Sequence, residues 1–337
     1  MTKPAVTTCA FVGAAALAAA MTIAPSARAL DQVTFGTDWR AEAEHGGYYQ
    51  AIATGIYAKH GLEVTLRQGG PQVNHTLLLA AGRLDFDEAP NSFIGLNFVK
   101  ENVPMVAVAS FFQKDPSVLI AHPGVGNDNL AALKGKPIMI STDTRTGYWL
   151  FLKAKFGYGD DQIRPYNFNM APFLADKNAV QQGYLTSEPF LIEKEGVKPV
   201  VMLLADSGYT SYGSLIETSQ KLINEKPDLV QRFVDASAEG WYSYLYGDPS
   251  PGNALIKRDN PEETDDLLAY AIAKIKEYGV VDSGDSLTKG IGAMDDARWQ
   301  SFFDVMAQQG LYPKTMDWKK AYTLRFVNQR AGMSAKP

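Results

Sequence analysis

TDWRAEAEHGGYYQAIATG, residues 37–55, follows the alternating segment QVTFGTD and runs into GGYYQAIATGIYAKHG. The first segment reads as a strand; the second reads as a helix that stops at Gly61. A strand, a loop and a helix make the first half of a parallel βαβ unit, and the loop after such a strand is where ligands are met. Trp39, His45, Tyr48 and Tyr49 crowd that loop. One reading puts Trp39 in the core and leaves His45 to cap a helix. The other makes the stretch one wall of a cleft. There the aromatic faces would stack a flat ligand, His45 would supply a polar edge, and Gly46 and Gly47 would let the backbone come close.

The alternation continues downstream. LEVTLRQ, LDFDEAP and MVAVASFF read as strands, with helical patterns in VNHTLLLAAGR and SFIGLNFVKENV between them. SVLIAHP, KPIMIST, IRPYNFN and PVVMLLAD repeat the theme, with a helix in GYWLFLKAKFG and another near 176–195. Everything from SQKLINEKPDLV onward reads mainly as helix. This order predicts an α/β protein of two lobes. Residues 30–112 and 208–337 form the first, discontinuous lobe and 113–207 the second. The chain would cross near Phe112 and return near Ser207, with ligand held at the carboxyl ends of the strands.

Residues 1–29 differ in kind. Lys3, an apolar run from Ala10 to Ala20, and Ala27-Arg28-Ala29 give the three parts of a secretory signal cleaved after Ala29. The chain's one cysteine, Cys9, lies inside that segment, so the exported chain has none for a disulfide or a thiolate metal site. Removing the segment takes away Lys3 and Arg28 and no acid, which makes the charge more negative than the −5 of the whole chain. An acidic protein without basic clusters is a poor match for nucleic acid.

Other strand-end loops supply further candidates. STDTRTGYW, 141–149, offers Thr144 and Arg145 before a helix, either as an anion nest or as ordinary capping. QQGYLTSEPFLIEKEG, 181–196, sets Tyr184 and Glu188 four residues apart, on one helical face unless Pro189 breaks the run. Asn91 and Phe112 stand at two more strand ends, as pocket wall or core. The histidines 45, 60, 75 and 122 have no close His or Cys partner at ligand spacing, and no nucleophile elbow, phosphate loop or dinucleotide fingerprint is present. No metal and no cofactor is expected.

DWRAEAEHGGYYQAIATGIYAKHGLEVTLRQGG resembles the start of the periplasmic solute-binding proteins of nitrate, sulfonate and taurine transporters and of their thiamine-pyrimidine relatives. So do LLLAAGRLDFDEAP, ENVPMVAVASFFQKDPSVLIAH, LAALKGKPIMI and GYLTSEPFLIEKEG, in the same order, over about residues 33–235. The resemblance implies a type II periplasmic binding fold with a cleft between two mixed-sheet domains. It also implies a monomer in the periplasm that hands a small molecule to an ABC permease. Asp38-Trp39 followed by HGGYY looks most like the branch that binds thiamine pyrimidine precursors, which makes Trp39, His45, Tyr48, Tyr184 and Glu188 the implied ligand contacts. A sulfonate, taurine or nitrate binder would instead use donors around Thr142 to Gly147, Arg145 among them. The related eukaryotic pyrimidine synthase carries its reactive Lys and His in the segment matching DEAPNSFIGL, where this chain has neither, so the resemblance implies a binder and no enzyme.

Overall fold

The computed structural model describes residues 1–5, 29–70 and 73–337, the side chain of Asp143 aside. The expected export signal therefore falls almost wholly outside the described residues. Among the described residues, ten strands form two mixed sheets of five. They are β1 Asp31–Gly36, β2 Leu62–Arg67, β3 Phe86–Ala89, β4 Met105–Phe112, β5 Ser117–Ala121, β6 Ile138–Ile140, β7 Ile163–Pro165, β8 Val180–Tyr184, β9 Val200–Leu203 and β10 Gly213–Ser219. The first sheet runs β2-β1-β3-β10-β4 and the second β7-β6-β8-β5-β9. In each, one antiparallel strand sits between two others: β10 between β3 and β4, and β5 between β8 and β9. Phe112, where β4 ends, pairs with Gly213, where β10 begins, so the chain leaves for the second sheet and returns from it at one point.

Five helices position the site: α1 Gly46–Ala53, α2 Ser92–Lys100, α3 Tyr148–Phe156, α4 Glu188–Lys194 and α5 Pro227–Tyr246. Pro227 opens α5 where its missing N–H costs nothing. The buried side of α5 carries Leu229, Val230, Phe233 and Trp241, and the Phe233 ring stacks on Phe86 of β3 at 4.0 Å. The helix expected over 46–61 is divided in two, because Gly55 takes a left-handed φ of 71° and Ile56–Lys59 form a separate turn.

Two strands escape a reading by hydrophobic pattern. VQQGY lies inside the helix expected near 176–195, yet it is β8, with helix only from Glu188. GSLIETS, given no element in that reading and leading into the helical run that begins at SQKLINEKPDLV, is β10. Both are buried strands that carry polar side chains, Gln181 and Glu217, at 0% exposure, and so show neither clean alternation nor an apolar run. The wholly buried β4 lies at a sheet edge, where bridges from Tyr322 and Gly292 cover it.

The glycines of HGGYY serve packing between helices, not approach to a ligand. A Cβ on Gly46 would lie 2.0 Å from the Tyr244 ring, and one on Gly47 2.3 Å from the Trp241 ring, both on α5. Gly47→Ala is therefore expected to cost roughly 1–3 kcal/mol of stability by overpacking, read as a lower denaturant midpoint. Asp115, in the strand β4–β5 connection, gives a second test. Burial lifts its carboxyl from 3.8 to about 6, although the Ser117 N–H that donates to it favours the charged form. The unfolded chain loses that proton at lower pH than the fold does, so Asp115 costs stability as pH rises from 3.8 to about 6, and the cost stays level above that. Asp115→Asn keeps the acceptor and should remove that fall from a plot of unfolding free energy against pH.

Candidate functional site

A cavity of about 610 Å³ lies between the sheets, at the carboxyl ends of β1, β3, β6 and β8. From the first sheet it takes Asp38, Trp39, Glu44 and His45 after β1, and Asp87, Glu88 and Asn91 along and after β3. From the second it takes Ser141 and Thr144 after β6, and Gln182, Tyr184 and Glu188 around the end of β8. Trp39 and Phe168 face each other across the mouth, ring centres 4.6 Å apart. Phe168 holds a left-handed φ of 60°, a conformation that costs a non-glycine residue about 1–3 kcal/mol and that here presents the ring to Trp39. Beside the cavity, the Thr186 hydroxyl donates to the Glu44 carboxylate, and Phe190 of α4 meets Tyr270 at 5.0 Å, so this segment bridges to the other sheet's side.

The floor is acidic. His45 Nε2 lies 3.0 Å from Asp38 Oδ1 and 3.4 Å from Glu88 Oε2. Burial alone would lower the basicity of the imidazole, but Glu88 and Asp38 overcome it and raise the pKa to about 9. Burial raises the Glu88 carboxyl to about 8, against the opposing pull of His45. His45 and Glu88 thus both hold their protons more firmly than they would in water. Burial, with Asp38 and Glu88 nearby, keeps the Asp87 carboxyl well above the ordinary carboxylate range. Glu88 is held on its other oxygen by Ser214 Oγ, which is 2.9 Å from the Tyr48 hydroxyl. Ser214 itself takes a left-handed φ of 45°, so the strand bends at the point where its hydroxyl bridges Tyr48 and Glu88.

Of the side chains singled out from sequence, Trp39, His45, Asn91, Phe112, Thr144, Tyr184 and Glu188 line this cavity. Tyr48 does not. It is fully buried in the core, edge-on to Phe35, Phe111 and Trp241, and reaches the cavity floor only through Ser214. Arg145 does not either: its residue is exposed and stands outside the lining. Asn91 is in part a cap, its side-chain oxygen accepting from the Phe93 N–H at the start of α2. Glu188 starts α4 and does not share a helical face with Tyr184; its carboxylate accepts from the Tyr184 N–H at 2.8 Å and from the Ser187 hydroxyl at 2.7 Å. Asp87, Glu88, Phe168 and Gln182 were not singled out. Two adjacent acids inside the buried strand β3 were the available sign for Asp87 and Glu88; Phe168, in a loop of sheet two, carried none.

Two mixed sheets of this order, with a cavity at their strand ends, are the fold of the periplasmic binding proteins. The chain belongs to the family described as NMT1/THI5 like, whose profile matches residues 42–251. It is 27% identical over 322 residues to the riboflavin-binding protein RibY of Chloroflexus aurantiacus, spanning 92% of this chain and 91% of that one. It is 22% identical over 297 residues to a Haemophilus influenzae protein named for thiamine biosynthesis, spanning 87% and 91%. Among solved structures, the aliphatic sulphonate binding protein SsuA of Escherichia coli superposes with a TM-score of 0.65 at 13% identity over 86% of this chain and 91% of that one. The desulfurization enzyme DSZB has the same fold, with a TM-score of 0.57 at 13% identity over 90% and 99%. Similar proteins of this fold are thus mostly binders, with an enzyme among them. No helix among the described residues is long and apolar enough to cross a membrane.

The placements of Tyr48 and Arg145 can be checked directly. Tyr48→Phe removes the buried bond to Ser214 and should cost about 1 kcal/mol in denaturant unfolding. Arg145→Ala, on the surface, should change stability by less than about 0.5 kcal/mol.

Proposed function

We propose that this chain is the solute-binding component of an ABC importer, exported to the periplasm, and that it captures a small, donor-rich heteroaromatic of the thiamine-pyrimidine class. Residues 30–112 with 208–337, and residues 113–207, are the two lobes that close on the ligand. The carrying observation is the lining of the cavity: aromatic side chains at Trp39, Phe168, Tyr184 and Phe112, carboxyls at Asp38, Glu42, Glu44, Asp87, Glu88 and Glu188, and no Lys or Arg among the described residues. Rings stack on such walls, and amino or hydroxyl groups donate to such a floor. Ligand bridging both lobes would favour the closed form, which docks on the permease.

The same lining weighs against the sulfonate, taurine or nitrate alternative, since an anion would meet several carboxyls and no fixed cation except His45. A flavin is the second reading. The similarity to RibY favours it, and so does a cavity with room beyond one six-membered ring.

Thermal unfolding of residues 30–337 in EDTA, against hydroxymethylpyrimidine, formylaminopyrimidine, thiamine, riboflavin, an alkanesulfonate and nitrate, tests this. A ligand at 100 times its Kd stabilises by about 2.7 kcal/mol, a readable shift. A pyrimidine response, with Trp39→Ala and Glu188→Gln each losing roughly tenfold or more in affinity, is the expected outcome. A response to riboflavin alone would move the assignment to the flavin. A response to the anions alone would overturn both.

A further inference from the structure

We propose that Asp38, His45 and Glu88 form a binding site for a divalent first-row transition ion on the cavity floor. One ligand atom from each of the three lies within 4.8 Å of the others. His45 Nε2 is 3.0 Å from Asp38 Oδ1 and 3.4 Å from Glu88 Oε2. Ligand atoms at the corners of a tetrahedron with bonds near 2.0–2.2 Å stand about 3.3–3.6 Å apart, close to the 3.0 and 3.4 Å separations from His45, with the third pair within 4.8 Å.

A second observation points to a missing partner. Glu88 is 3% exposed, and its Oε2, paired at 3.4 Å with His45 Nε2, accepts no hydrogen bond. Its other oxygen is fixed by Ser214, and Ser214 in turn by Tyr48. Carboxylate ligands of metal ions are characteristically oriented by such an outer bond, with one oxygen left for the ion. The surroundings supply no other cation: Asp87 and Glu44 add carboxyls to the same floor, and no Lys or Arg lines the cavity among the described residues.

An imidazole with two carboxylates suits Zn²⁺, Co²⁺ or Fe²⁺ better than the all-oxygen sets of Ca²⁺ and Mg²⁺. Three protein ligands leave a coordination position open towards the cavity. On binding, the ion displaces any protons on these groups to solvent. This inference stands apart from the organic ligand. It is tested with the metal alone, whereas the ligand panel is run in EDTA, so either can fail without the other.

The test is calorimetric titration of EDTA-treated residues 30–337 with ZnCl₂, together with the visible absorption of the Co²⁺ complex. One equivalent of Zn²⁺ should bind, and Co²⁺ should give the intense d–d bands of a site of low coordination number. Glu88→Gln and Asp38→Asn keep the shapes of the side chains and should each weaken binding roughly tenfold or more. His60→Gln should not, although it removes the surface His60–Glu239 pair, at 3.1 Å the obvious adventitious site. Absence of stoichiometric binding would overturn the proposal. So would Zn²⁺ affinity that survives in Glu88→Gln and Asp38→Asn variants whose circular dichroism shows them folded, or that is lost in His60→Gln.

Discussion

The site depends on how closely α1 lies against α5. A Cβ on Gly240 would sit 2.3 Å from the Gly47 carbonyl oxygen, so the two helices cross almost backbone to backbone. Gly46 and Gly47 make room for Tyr244 and Trp241 on the same face. With α1 pinned in this way, the turn before it has little freedom, and His45 is held at the end of β1 facing Asp38 and Glu88. The same contact turns Tyr48 inward, among Phe35, Phe111 and Trp241. One close packing therefore fixes which residues of HGGYY face the cavity and which face the core.

Electrostatics then gives the cavity its character. Carboxyls brought together out of water hold protons or draw in cations and donors, because like charges at short range in a low-dielectric site are costly. His45 offsets part of this excess and the rest is left for a ligand. Trp39 and Phe168 stand together at the mouth, and the proposed flat, donor-bearing ligand rests on these walls and that floor.

Much of this architecture was legible because the strand-end loops announce themselves. Trp39 and His45 follow an alternating strand and precede a helix, and Tyr184 and Glu188 stand at a break marked by Pro189. What stayed hidden did so for identifiable reasons. In β8 and β10, buried Gln181 and Glu217 erase the pattern that would mark a strand. Tyr48 looks like its neighbours in sequence, and only the crossing with α5 decides which way it turns. Arg145 carries the one guanidinium of its loop, but nothing local says whether it points inward. Glu88 and Phe168 meet the site from segments more than 40 residues away from residue 45, and such meetings are set by the sheet order, which periodicity does not contain.

The place of β10 bears on the order in which the molecule assembles. It is threaded between β3 and β4, strands that precede it by more than 100 residues. Until residues 213–219 arrive, β3 and β4 have no common neighbour, and the first sheet has a gap at the point where the second sheet is hung. Closing it requires the whole intervening segment to be in place, a high-contact-order step that slows folding. A chain translated from its amino end would thus keep its first sheet open until about two thirds of it had emerged, then close it with one late strand.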